Sequence, residues 1–157
     1  MDVIRRNTDY ALRAMVSLSK NWDFQPISAR QLARQEDISY QLTCKLLQKL
    51  NKANLVISVM GPKGGFALSK PPSKITLLQV ISTIQGPLRL NKCLLGSNIC
   101  KRRKNCRINE KLVYLQKYID TYLGNITLDD IFKSVHERKG RTKKRYTKNR
   151  IRNKKSN

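Results

Sequence analysis

Three cysteines, Cys93, Cys100 and Cys106, share one short stretch at the spacing C-x6-C-x5-C. Lys92, Lys101, Arg102, Arg103, Lys104 and Arg107 surround them. Neighbouring cations lower a thiol's pKa and favour the thiolate, which is the form that ligates metal. The spacing lacks the C-x2-C knuckles of structural zinc sites. Three thiolates on a loop suit an iron–sulfur cluster with a fourth ligand from elsewhere, and the cations would offset the cluster's negative charge. On the residues alone a cluster ranks ahead of zinc, and zinc ahead of free thiols. Cys44 lies far off in sequence and reads as a small packed hydrophobe outside this set.

The chain around this loop has 157 residues and a formal net charge of +23. That length supports one domain with a real core, and that charge points to a phosphate-bearing partner. The charge is uneven. Residues 138–157 hold eleven Lys or Arg and no acid, with Tyr146 and Ile151 as the only large apolar residues. Such a segment cannot bury enough surface to offset the entropy of ordering, so it reads as a disordered basic arm. It is either an electrostatic foot on a phosphate backbone or a solvated tail. The N-terminal Met1–Arg6 stretch leads into no signal-peptide core, and no window approaches 18 apolar residues. The expectation is a cytosolic protein, where disulfides are not the default state of cysteines. The single histidine, His136, sits near the chain end and offers no Ser–His–Asp or Cys–His pairing, so an enzyme with a small-molecule substrate is not expected.

Helical spacing of Ala11, Leu12, Met15, Val16 and Leu18 predicts a helix over Thr8–Lys20. Ser28, with Gln31 three residues on, has the form of a capping box, and Ile27 and Leu32 of a hydrophobic staple, so a second helix starts there. Glu36-Asp37-Ile38 reads as a turn, with Ala33 as the close-approach residue and Ile38 as its apolar plug. Ser39 then caps a third helix over Tyr40–Lys52. Leu42, Leu46, Leu47 and Leu50 mark its inner face, and Gln41, Lys45, Gln48, Lys49 and Lys52 its outer face. A helix, a tight turn and a longer helix with a basic outer face is the helix-turn-helix layout. Leu55–Val59 and Phe66–Leu68, joined by Gly61-Pro62-Lys63-Gly64-Gly65, predict a hairpin, or wing. That glycine-rich turn leads into a strand and not a helix, which argues against a phosphate-binding loop. A short helix runs over Ile75–Gln85, opened by Thr76 and ended by Gly86-Pro87. The cysteine loop fills Leu88–Cys106. Leu112, Leu115, Ile119, Tyr122 and Leu123 give a further helix one apolar stripe with no partner in so small a domain, which suggests pairing with a second copy. Thr127–Asp130 caps a last short helix ending near Val135.

Taken together, Thr8-Asp9-Tyr10-Ala11-Leu12-Arg13, the Gly61-x-x-Gly64-Gly65-Phe66-x-Leu68 wing, Ile75-Thr76-Leu77 and the three-cysteine loop resemble the IscR/NsrR-type winged-helix transcriptional regulators of bacteria. The resemblance covers about residues 3–135. It implies a homodimer with crossing long helices, a cluster (2Fe-2S or 4Fe-4S) near the dimer interface, and DNA binding gated by that cluster. Members sense cluster supply, iron, nitric oxide or redox stress. Two positions depart from the pattern. Met60 stands where many members have an arginine before the wing glycine, and Asn109 stands where the IscR branch has a histidine ligand. In the NsrR-like branch the ligand resembles Asp9, supplied by the opposite subunit. The bland alternative for Asp9 is a carboxylate favouring a helix N-terminus.

The expected fold is mainly α with a small β-hairpin wing: a winged helix-turn-helix plus a long dimerisation helix. The DNA-binding unit is placed at residues 1–87 and the cysteine loop at 88–106. The dimerisation helix and terminal short helix take 107–137, and the basic tail 138–157. The metal set is Cys93, Cys100, Cys106 and Asp9. The DNA-reading set is Ser39, Tyr40, Gln41, Thr43, Cys44, Lys45 and Lys49, with Lys63 at the wing. The expected partners are a double-stranded DNA operator and a second copy, with no membrane and no small-molecule substrate. A cytoplasmic repressor of transcription fits all of this. The competing class is a general basic nucleic-acid binder, associated with RNA or ribosomes, whose cysteines hold zinc or nothing.

Overall fold

A computed structural model describes residues 3–23, 25–94 and 106–133. Cys100, His136 and the basic tail lie outside the described residues. Helix α1 spans Arg6–Lys20, α2 Ala29–Glu36 and α3 Tyr40–Lys52. An antiparallel hairpin follows, β1 Val56–Val59 and β2 Gly65–Leu68, with Val56 opposite Leu68 and Val59 opposite Gly65. A single 3-10 turn, Pro72–Lys74, leads to α4 at Leu77–Gln85. A second, Lys92–Leu94, precedes the long α5 at Arg107–Asn125, and residues 128–133 are helical again.

Four helix starts are capped by a hydroxyl. The Ser28 hydroxyl accepts from the Gln31 N–H, and the Ser39 hydroxyl accepts from the Leu42 N–H. The reciprocal box forms at Thr76, whose hydroxyl accepts from the Gln79 N–H while the Gln79 side chain accepts from the Thr76 N–H. Thr127 and Asp130 make a similar exchange at the last helix. Asp37 ends α2 with φ 54°, and the Ile38 N–H returns to the Ala33 carbonyl at 2.9 Å, which makes the sharp turn between α2 and α3. Ile38 and Ala33 are buried there, as their apolar character and small size require.

One core joins α1, α2, α3, the hairpin, α4 and the last helical turn. Ala11, Ala14, Met15 and Leu18 of α1 meet Leu32, Leu46, Leu47, Leu50, Val56, Leu68, Ile75, Val80 and Ile84. Leu12, Val16 and Leu42 pack only at its edge. Leu128, fully buried, belongs to this same core, and the Leu128 N–H bonds the Ile75 carbonyl while the Leu77 N–H bonds the Ile126 carbonyl. The chain therefore closes back onto the winged unit after α5. A buried leucine of this kind contributes about 1.5–3 kcal/mol by transfer alone.

The apolar stripe of α5 is covered along one edge only. Leu112, Ile119 and Leu123 are half-buried against the rest of the chain. Leu115 and Tyr122, expected on that stripe, instead join Ile108, Tyr114 and Tyr118 on an exposed face, with the Tyr118 and Tyr122 rings stacked at 6.3 Å. Among the described residues no helix is long and apolar enough to cross a membrane.

Candidate nucleic-acid interface and cysteine site

The outer face of α3 displays most of the side chains its sequence assigns to reading DNA. Ser39, Tyr40, Gln41, Lys45 and Lys49 are exposed, as is Lys63 on the wing loop, and Cys44 is half-buried. Thr43 departs from the expectation. It is buried, and its hydroxyl donates to the Ser39 carbonyl at 3.0 Å, because a residue one turn into the helix on the inner edge returns its hydroxyl to the backbone. Thr43 thus faces the fold and not a groove.

The start of α3 is stiffened from outside. The Arg30 guanidinium lies over the Tyr40 ring at 5.7 Å, and the Tyr40 phenol is hydrogen-bonded to the Cys44 thiol one turn on. That bond, followed by the charge of Cys44, raises the Tyr40 pKa above its ordinary value. Sequence reasoning misses Arg30, because nothing in the local pattern distinguishes it from a solvated cation on α2.

The turn before α3 is tied to α1. Glu36 forms an ion pair with Arg13 at 3.2 Å, Arg13 also donates to the Glu36 carbonyl, and Ser17 donates to its carboxylate. The Arg13 guanidinium in turn lies near the Tyr10 ring at 5.8 Å. The angle between α1 and the turn is therefore fixed by a charge-assisted network and not by packing alone.

The start of α1 is tied to the end of α4. The Gln85 side chain accepts from the Arg5 N–H and the Thr8 hydroxyl, and donates to the Val3 carbonyl. Asp9 lies just inside this strap, exposed in the first turn of α1.

Cys93 sits in the 3-10 turn Lys92–Leu94, and Cys106 is the N-cap of α5, where its sulfur accepts from the Asn109 N–H at 3.4 Å. Both thiols are free and half-buried. Asn109 is buried, and its side-chain Nδ2 has no hydrogen-bond partner among the described residues. A buried donor without an acceptor is costly, and a thiolate or sulfide placed beside the helix start would satisfy it. Two soft donors, one of them at a helix start beside an orphaned donor, fit a thiolate-ligated iron–sulfur group better than a hard cation. Among the described residues no three metal-ligating side chains come together, so within one chain Asp9 does not join Cys93 and Cys106.

Gln116 holds the approach to Cys93. It is buried on α5, donates to the Leu88 carbonyl and the Asp120 carboxylate, each at 2.9 Å, and accepts from the Leu90 N–H at 3.0 Å. Arg89 pairs with Asp120 at 3.6 Å. The only sequence signal for Gln116 is a lone amide within the Leu112, Ile119, Leu123 stripe.

Residues 4–134 match the model of the Rrf2 family, described as iron-dependent transcriptional regulators. The chain is 30% identical over 139 residues to the HTH-type transcriptional regulator NsrR of Oceanobacillus iheyensis, covering 85% of this chain and 92% of that one. The structure of CymR (YrzC), the global cysteine regulator of B. subtilis, superposes with a TM-score of 0.72 at 25% identity, covering 85% of this chain and 98% of that one. The T. potens IscR structure superposes at 0.70 and 25% identity, with 85% and 88% covered.

Proposed function

The chain belongs to the Rrf2 family of transcriptional regulators and is not an enzyme, and we propose that it works as a cytoplasmic homodimeric repressor whose grip on its operator is set by an iron–sulfur cluster. Family membership favours this over a general RNA- or ribosome-associated role. It does not choose the signal, since one structural neighbour is described as a cysteine regulator.

The observation that carries the cluster reading is Cys106 as N-cap of α5, next to a buried Asn109 amide without an acceptor among the described residues, with Cys93 on the turn preceding the loop. Cys93, Cys100 and Cys106 would hold the group, with Asp9 of the partner subunit as fourth ligand. When bound, the cluster supplies a redox-active, nitric-oxide- and oxygen-reactive centre of two or four irons. The carboxylate corner is the weaker and more exchangeable one.

The chain's own residues then provide the linkage. The strap through Gln85 fixes the start of α1 to the end of α4, and the Arg13–Glu36–Ser17 network fixes α1 to the turn before α3. A shift of Asp9 therefore moves the frame on which α3 is mounted. In a dimer paired through the exposed α5 face of Ile108, Leu115, Tyr118 and Tyr122, that movement changes the spacing of two α3 helices. A coupling of about 1–3 kcal/mol between the two states is enough to change operator affinity about 5- to 150-fold. The reading helix contributes Ser39, Tyr40, Gln41, Cys44, Lys45 and Lys49, Lys63 adds a phosphate contact, and the basic tail adds affinity without sequence preference.

Replacing Cys93, Cys100 or Cys106 singly by Ala, under anaerobic purification, should abolish iron and sulfide retention and leave the fold intact. Cys44→Ala should keep both. Iron retained by the loop variants and lost by Cys44→Ala would overturn the ligand set.

A further inference from the structure

Tyr40 is the first residue of α3, and 51% of it lies open to solvent. An exposed side chain ordinarily hops between rotamers. Here two neighbours hold the ring. Cys44, one turn on along the same face of α3, engages the phenol in a hydrogen bond. From α2, the Arg30 guanidinium lies over the ring at 5.7 Å. Arg30 is exposed and forms no ion pair among the described residues.

Both supports stand on fixed backbone. Arg30 is in the first turn of α2, where the Ser28 hydroxyl accepts from the Gln31 N–H at 3.2 Å. The turn into α3 closes through the Ile38 N–H and the Ala33 carbonyl at 2.9 Å, over buried Leu32, Ala33 and Ile38. Ser39 then caps α3 through the Leu42 N–H at 3.4 Å. The helix-turn-helix itself therefore sets the approach of Arg30 to Tyr40.

These contacts decide what the ring offers. Its hydroxyl is engaged within α3 and a guanidinium covers one face, so ring carbon is what remains for a partner. The first residues of a recognition helix are those that meet base edges. Among the base edges of the major groove, thymine alone presents a methyl group.

We propose that Tyr40 reads a thymine 5-methyl group with its ring, and that Arg30 is the positioning residue that holds the ring for this contact. Arg30 thus acts on sequence choice through Tyr40 and not as a phosphate clamp. The two roles differ chemically. A guanidinium stacks as a flat plate, which an ammonium does not reproduce, whereas lysine serves well on a phosphate. This contact rests on the DNA-reading role of the α3 face. It adds the base feature that one side chain recognises, and a residue of α2 on which that recognition depends.

The test uses the full chain, a duplex selected by the unmodified protein from a random-sequence library, and a scrambled duplex of the same composition. Thymines of the selected duplex are replaced one at a time by deoxyuridine, which removes only the methyl group. One such replacement should weaken parent binding about fourfold, the loss expected for one buried methyl. Tyr40→Ala should erase that response, and Tyr40→Phe should keep it, because the ring and not the hydroxyl is the reader. Arg30→Lys and Arg30→Gln should each weaken binding to the selected duplex about threefold and shrink the deoxyuridine response to about twofold or less. The scrambled duplex and the salt dependence should be unaffected.

A parent-like Arg30→Lys protein, with Arg30→Gln losing affinity for both duplexes and a salt slope flatter by roughly 0.9, would overturn positioning in favour of a phosphate contact. A parent indifferent to every replacement, or a Tyr40→Phe protein as insensitive as Tyr40→Ala, would overturn the methyl contact. Gln41→Ala on the same duplexes separates the two levels. If it loses selectivity while the deoxyuridine response survives Tyr40→Ala, only the ring contact fails. If neither Gln41→Ala nor Tyr40→Ala changes selectivity, the reading face itself fails.

Discussion

Replacing Gln116 by Leu should uncouple the cysteine turn from the fold while leaving the DNA-reading face untouched. Gln116 is 7% exposed and makes three hydrogen bonds, to the Leu88 carbonyl, the Leu90 N–H and Asp120. Leucine fits the site in size but leaves the Leu90 N–H without its acceptor, while the Leu88 carbonyl keeps only the Arg89 guanidinium at 3.0 Å. Each unsatisfied buried backbone group costs about 1–3 kcal/mol. The added apolar burial offsets part of this, and Asp120 keeps Arg89. The expected net loss is about 1–2 kcal/mol. Urea unfolding of the cluster-free protein measures it as a lower midpoint at an unchanged slope. Cys93 follows Leu90 closely in the chain, so iron retained per chain should fall as well, while the cluster-free protein keeps its affinity for DNA. Gln116→Leu protein with the parent's urea midpoint and full iron content would refute the claim that this amide seats the cysteine turn.

Changing Gln41 or Tyr40 to Ala should relax operator choice by about 1–3 kcal/mol for each good base-edge interaction removed, measured as the ratio of selected to scrambled duplex affinity; equal losses on both duplexes would remove α3 as the reader. Deleting residues 138–157 should weaken binding to all sequences alike and flatten the dependence of log affinity on log salt by roughly 0.9 for each phosphate no longer neutralised; an unchanged slope would make the tail a bystander. Asp9→Ala should keep much of the cluster on its thiolates, alter its absorption spectrum and blunt the change in DNA affinity between the cluster-bound and cluster-free states. A parent spectrum with full switching would leave Asp9 as a helix-start residue.

The parts of the fold legible in the sequence are those governed by local rules. Ser28, Ser39 and Thr76 announce helix starts because a hydroxyl is the cheapest acceptor for an unpaired N–H, and α3 has the expected bounds. The wing is legible because its β-branched run ends in a glycine turn. What depends on facing is not. Thr43 is polar, yet it falls at the spacing of Leu46, Leu47 and Leu50 and is buried with them. Leu115 and Tyr122 share spacing with Leu112 and Ile119, and a 3.6-residue period cannot tell which edge of one broad stripe the rest of the chain covers. Long-range polar contacts are invisible for the same reason: Gln85 meets residues 3–8, Gln116 meets residues 88–90, and Arg30 meets Tyr40, with no signature in the local pattern. At the cysteine site the thiols are evident from spacing, but the orphaned Asn109 amide emerges only once α5 is placed.

The most direct test of cluster-gated DNA binding is a single anaerobic titration of one operator duplex with the protein as isolated and with the same preparation stripped of iron. The account expects coloured protein with matching iron and sulfide, and an operator affinity that differs at least about fivefold between the two forms, the lower end of a useful coupling. Colourless protein carrying stoichiometric zinc, or coloured protein whose two forms bind the duplex equally, would contradict it.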